Sequence, residues 1–186
     1  MMSIEILLVG EIRRNCDFAI LAYEDMNKYA NAVNNNEMNR FWLSTESFLI
    51  TVANISKILW PTPPDPCKKC NFRPQPNLAM TSRRESLRKL LSVEESSLIR
   101  SRKFRNHFEH YDERIEEWAT KPGKELIFDS NIGAVKSIIQ NSNHSISHRR
   151  NFDSSNFVLY FGDEEYHVNE IIKAVKDLKD KSLVLM

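Results

Sequence analysis

Six of the chain's seven prolines fall between Pro61 and Pro76, in the stretch WPTPPDPCKKCNFRPQP. Proline locks its own φ, offers no N–H, and pushes the residue before it out of the helical region. Helix is therefore excluded in this stretch and obstructed almost nowhere else, since the next proline is Pro122. The sequence predicts helices on either side of an irregular loop at 61–80. A loop of that length inside a compact domain is uncommon and points to function or mobility.

Apolar periodicity fills the permitted stretches. Leu8, Ile12, Ala19, Ala22, Met26, Ala30 and Val33 recur at helical steps and predict one helix over residues 3–33. After Asn34-Asn35-Asn36, a second helix is expected to about Trp60, with Trp42, Phe48, Leu49, Val52, Ile55 and Leu59 as its buried side. Two capping-box patterns follow. Ser82 with Glu85 predicts a short helix, and Ser92 with Glu95 a long one that meets no breaker before Pro122-Gly123, or about 40 Å of helix. Beyond it the period changes. ELIF at 125–128 reads as a strand, and NFVLYF, Gly162-Asp163 and EEYHV read as a small hairpin. Asn169 is placed to cap a last helix that buries Ile172, Val175 and Leu178. The expected fold is mainly α: an antiparallel helical bundle over 1–120 that carries the proline-rich loop. A small α+β extension over 121–186, with a hairpin and a terminal helix, packs on the bundle to make one compact domain.

A formal net charge of +1 gives no global field toward nucleic acid, so any basic footprint is local. The only apolar run at the start, Ile6 to Gly10, is too short and too acidic in its flanks for a signal peptide or membrane helix. Three cysteines give no paired disulfide framework. The expectation is a cytoplasmic protein with no membrane partner. Four glycines leave no material for a phosphate-cradling loop, and no P-loop or nucleophile elbow is present.

The segment RSRKFRNHFEHYDERIEEW, residues 100–118, carries the densest chemistry. On a continuous helix Phe104, Phe108, Tyr111, Ile115 and Trp118 form a core-facing stripe. Arg105, Glu109, Asp112 and Glu116 lie on one flank, and Arg102, Asn106, His110 and Arg114 on the other. The plain explanation is a solvated helix laced by pairs such as Arg105 with Glu109, each worth about 0.3–0.5 kcal/mol. Against it, the charges are sorted. Residues 83–105 hold eight basic and three acidic side chains, whereas residues 109–117 hold five carboxylates and one arginine. Carboxylates late in a helix face the negative end of its dipole and call for partners elsewhere. Histidine titrates near neutrality and arginine offers a planar fork to phosphate, so His107 and His110 among arginines are tools for metal-free cleavage of RNA.

Arg105-Asn106-His107-Phe108-Glu109-His110 resembles the R-x4-6-H motif of HEPN domains, which lies in a late helix of an all-helical bundle. Many HEPN proteins are metal-independent ribonucleases of toxin–antitoxin and phage-defence systems, and they typically act as dimers with two motifs at the interface. The resemblance implies that Arg105 holds the scissile phosphate, Asn106 is its polar accessory, and His110 assists proton transfer as the 2′-hydroxyl attacks. Arg102, His107, Glu109 and Glu113 would be accessory groups. Arg83, Arg84, Arg88, Lys89, Arg100 and Lys103 would bind nucleic acid. It also implies a homodimer and a cognate antitoxin. On a straight helix Arg105 and His110 stand about 140° apart, so a two-copy site would be needed. The reading from another class is a non-catalytic helical interaction protein whose charged helix, with Glu113 and Glu116, is a binding face.

No cofactor is expected. Cys67-x2-Cys70 has the spacing of half a zinc site, and His144-x3-His148 is the one pair spaced to complete it, which makes zinc a minor candidate. Cys16 reads as a packing residue of the first helix.

Overall fold

The computed structural model describes residues 3–61, 78–120, 126–133, 146–162 and 164–184. Helix α1, Ile4–Tyr29, starts where the Ser3 hydroxyl accepts from the Ile6 N–H. It ends four residues before the expected Val33, which is 88% exposed rather than packed. Helix α2, Asn35–Leu59, starts with a reciprocal cap. The Asn34 side chain accepts from the Glu37 N–H at 3.0 Å, and the Glu37 carboxylate accepts from the Val33 N–H at 2.9 Å. The two helices share a core that includes Ile12, Cys16 and Met26 of α1 and Phe41, Phe48, Ile55 and Leu59 of α2. Burial, and then the charge of Asp17, push the Cys16 thiol up to about 12, as suits an inert packing residue.

Between 78 and 119 the expected arrangement is corrected. Helix α3 runs Leu78–Leu90, so Ser82 lies inside a helix instead of capping one. Ser92 does not start a helix but ends α3. It adopts φ 49°, with its N–H bonded to the Lys89 carbonyl and the Val93 N–H bonded to the Arg88 carbonyl. That double bond pattern is a Schellman stop with serine in the left-handed place glycine usually takes. The proposed 27-residue helix is instead a 3₁₀ turn, Leu98–Arg100, then α4, Lys103–Glu109, and α5, Tyr111–Ala119. Glu95 is drawn away from any capping role by three partners: Arg88 at 2.8 Å, Arg100 at 3.2 Å and the Trp60 indole N–H at 2.9 Å. After the break at His110 (φ −106°, ψ 34°) Tyr111 still packs on the core, but Ile115 is exposed.

Six short strands follow among the described residues. Strands β1, Leu126–Phe128, and β2, Asn131–Ile132, pair in parallel with β3, Ile146–His148, and β4, Arg150–Asp153. The partner offset is the same in both pairings, so each pair is one longer strand bent at 129–130 or at 149. Parallel neighbours need a crossover connection, and residues 134–145 lie outside the described residues. β4 continues antiparallel to β5, Val158–Phe161, and β5 to β6, Glu164–His167. This is the expected hairpin, turned at Gly162 with φ 58°. β3 and β4 fall where a loop was expected.

β6 leads directly into α6, Val168–Leu183, which buries Ile171, Ile172, Val175 and Leu178. The expected cap at Asn169 is not formed. That side chain instead accepts from the Tyr23 hydroxyl at 2.8 Å. Two more ties hold α6 on α1: Arg13 donates to the Ser182 carbonyl at 2.6 Å, and Lys179 pairs with Asp17 at 2.6 Å. The fold is therefore mainly helical, with a small sheet on the C-terminal side. Among the described residues no helix is long and apolar enough to cross a membrane.

Candidate functional site

The charged segment lies between α2 and the sheet. Its aromatic residues set its position: Phe104 packs on Tyr166 at 4.7 Å between ring centres, and Phe108 on Trp42 at 6.2 Å. The polar side chains follow from that placement.

His107 is buried. Its ring stacks on Phe161 at 4.4 Å and 5°, and its Nε2 meets the Glu164 carboxylate at 3.1 Å. Lys103 binds the same carboxylate at 2.8 Å. The Lys103 ammonium, and then His107, hold the Glu164 carboxyl below its ordinary value. This histidine joins α4 to the β5–β6 hairpin.

Arg105 forms an ion pair with Glu109 one turn on, and donates to the Asn106 side chain at 3.1 Å. It lines a cleft of about 190 Å³ with Glu46, Leu49 and Ile50 of α2 and with Phe108 and Glu109. His110 is at the helix break, half exposed, with Nδ1 3.4 Å from Glu113. The two groups named for phosphate and proton work thus have separate local partners within the chain. Arg102 occupies the position just before α4 and makes no side-chain cap there.

Of the eight basic residues in 83–105, several are taken up within the chain. Arg83 pairs with Glu5 at 3.2 Å. Arg88 donates to the Leu59 carbonyl at 2.6 Å and lies over Trp60, besides binding Glu95. Arg100 shares Glu95, and Lys103 is taken by Glu164. Arg84 is partly buried, and desolvation followed by the charge of Arg83 lowers its proton affinity. Lys89 is exposed near the end of α3. Four of the six expected nucleic-acid contacts are therefore ion-paired within the chain.

Sequence reasoning missed the most developed polar cluster. Asp129, at the bend between β1 and β2, accepts from the Arg150 backbone N–H at 3.1 Å, from Nε at 3.0 Å and from Nη2 at 2.6 Å. The Arg150 guanidinium lies 3.9 Å from the centre of the Tyr111 ring and 5.7 Å from that of Phe108, with Glu46 at 3.9 Å. Trp42 donates to the neighbouring Ser130 carbonyl at 2.9 Å. Burial, then a hydrogen bond with Asp129, push the Tyr111 hydroxyl up to about 12. Burial also pushes the Asp129 carboxyl up, but the hydrogen bonds and charge of Arg150 outweigh it, so its value falls below the ordinary one. No sequence signal pointed to this cluster, since the carboxylates of 109–117 that called for partners are not among the acids bound by Arg150.

Cys67, Cys70 and His144 lie outside the described residues, and for His148 the structure gives a place in β3 only. Among the described residues no three His, Cys, Asp or Glu side chains are grouped to hold a metal ion. No family model matches the chain, and neither a curated protein nor a solved structure is similar to it.

Proposed function

We propose that this chain is a non-catalytic helical interaction protein, in which the charged segment fastens the sheet to the bundle and binding takes place on the first helical pair. One observation carries the reading. Ile4, Leu7, Phe18 and Leu21 of α1 and Leu43 and Ile50 of α2 are all between 48% and 66% exposed. Single exposed apolar residues are ordinary, but six large ones on two neighbouring helices mark a surface that meets something. The charged segment supports the reading from the other side. Arg100, Lys103, Arg105 and Arg114 are ion-paired within the chain, and His107 and His110 each meet a carboxylate, so most of its cationic groups already have a partner.

A second reading, a HEPN-like, metal-independent ribonuclease with a cognate antitoxin, is favoured by one feature. His110 stands half exposed at a helix break, and its acidic neighbour Glu113 is 72% exposed at 3.4 Å. Such a pair is worth well under about 1 kcal/mol and yields readily to a phosphodiester.

One experiment separates the two. RNA incubated with purified protein in EDTA is expected to stay intact. Arg105→Ala and His110→Ala are expected to leave Tm within a few degrees of the parent, because both side chains make only local pairs. RNA fragments with 2′,3′-cyclic phosphate ends, lost in both variants, would replace the first reading with the second.

A further inference from the structure

Four of the five large apolar residues that α1 exposes are ordered, Ile6 lying off their line. Ile4, Leu7, Phe18 and Leu21 (50%, 53%, 51% and 59% exposed) combine with exposed Glu11 and Arg14 in steps of three, four, three, four and three residues. That alternation is the seam of a heptad repeat. The seam turns about 120° away from the side on which Ile12, Cys16, Ala19 and Met26 are buried. Read along the helix it runs Ile-Leu-Glu-Arg-Phe-Leu, apolar at both ends with one acid and one base at its centre.

The geometry points to a second copy of this chain as the occupant of the seam, lying antiparallel so that the two-fold axis passes midway between Glu11 and Arg14. In that register Ile4 faces the partner's Leu21, Leu7 faces the partner's Phe18, and Glu11 faces the partner's Arg14. A two-fold axis repeats every contact, so the single register gives four apolar layers and two ion pairs over a seam of about 25 Å. Charge selects this arrangement over its neighbours. Parallel helices would set Glu11 on the partner's Glu11 and Arg14 on the partner's Arg14. A shift by one heptad would set Glu11 on the partner's Leu21 and Arg14 on the partner's Phe18. Within one copy Glu11 meets, among the described residues, Asn15 at 2.9 Å and Arg14 at 3.6 Å, and the two charged side chains are 47% and 66% exposed. Both charges thus remain accessible to a partner.

This pairing rests on the interaction reading above and supplies its partner. The test is sedimentation equilibrium of the full chain from micromolar to hundred-micromolar concentration. The parent is expected to be a dimer. Glu11→Arg and Arg14→Glu, each of which creates like-charge contacts at the axis, are expected to weaken dimerisation at least about tenfold. The double variant Glu11→Arg/Arg14→Glu restores opposite charges and is expected to return close to the parent Kd. All four proteins should give the same circular dichroism, since both positions are exposed. A parent that sediments as a monomer, or a dimer indifferent to all three variants, overturns the pairing. Neither result bears on the RNA experiment, which tests the underlying reading by itself.

Discussion

Ser92 holds φ at 49°, a conformation that costs a side-chain-bearing residue about 1–2 kcal/mol and glycine almost nothing. Its neighbours impose it, because the bonds from residues 92 and 93 back to Lys89 and Arg88 form only if the chain reverses there. Ser92→Gly should therefore stabilise the protein by about 1 kcal/mol, less what the more flexible unfolded chain takes back, or about 2–4 °C in Tm. Thermal melts of parent and variant check this, and a lower Tm for the variant would mean the left-handed geometry is not strained. The same residue shows how a local signal misleads. Ser-x-x-Glu at 92–95 reads as a cap, yet Glu95 bonds Arg88, Arg100 and Trp60, none of which the four-residue pattern contains. His107 was legible as a member of a motif, but not as the ring stacked on Phe161, more than fifty positions later in the sequence.

At the scale of elements, the sheet is fastened to the bundle by Tyr111 of α5, Asp129 at the β1–β2 bend and Arg150 of β4. Each charged side chain of the Asp129–Arg150 pair is about one-fifth exposed. Asp129→Asn leaves the largely buried Arg150 charge with weaker compensation. The cost for a fully buried pair is about 3–5 kcal/mol, so about 2 kcal/mol is expected here after discounting for solvent. The pH dependence follows from the two shifts. Asp129 has a depressed folded value, so its contribution is complete above the ordinary 3.8 and is lost as pH falls through the folded value. Tyr111 is raised from 10.0 to about 12, so the folded state retains its proton. Its contribution is complete below pH 10 and is lost as pH rises toward 12. Urea titrations across pH should show both limbs. Tyr111→Phe should flatten the alkaline limb, and Asp129→Asn the acid one. Elements with strong periodicity, α1, α2, α6 and the β5–β6 hairpin, were legible in the sequence. ISHRRNFD, which becomes β3 and β4, was not. It has two apolar residues in eight, and its strand character comes from pairing in parallel with residues twenty positions earlier and, for β4, antiparallel with β5.

At the scale of the molecule, the apolar core runs across residue 120. Phe152 of β4 lies 4.5 Å from Phe41 of α2, and Phe157, in the turn before β5, lies 5.6 Å from Tyr23 of α1. Tyr166 of β6 packs on Phe104 of α4, and α6 is tied to α1 near both of its ends. Buried residues from α1, α2, α4, β4, β5 and α6 belong to one apolar cluster. A chain cut after residue 120 would leave Tyr23, Phe41 and Phe104 without these ring partners and would expose the side of α1 that α6 covers. Losing several aromatic contacts and one helix interface costs more than the roughly 5–15 kcal/mol by which a domain of this kind is stable. The 1–120 fragment should therefore show no cooperative melt, and the full chain should melt in a single transition. Hydrogen exchange tests this within the intact protein. The amides of Phe48 in α2 and Leu159 in β5, both in fully buried residues, should open with the same free energy. If Leu159 exchanged through a much cheaper opening while Phe48 stayed protected, the sheet would be a separate unit and the shared core would not couple it to the bundle.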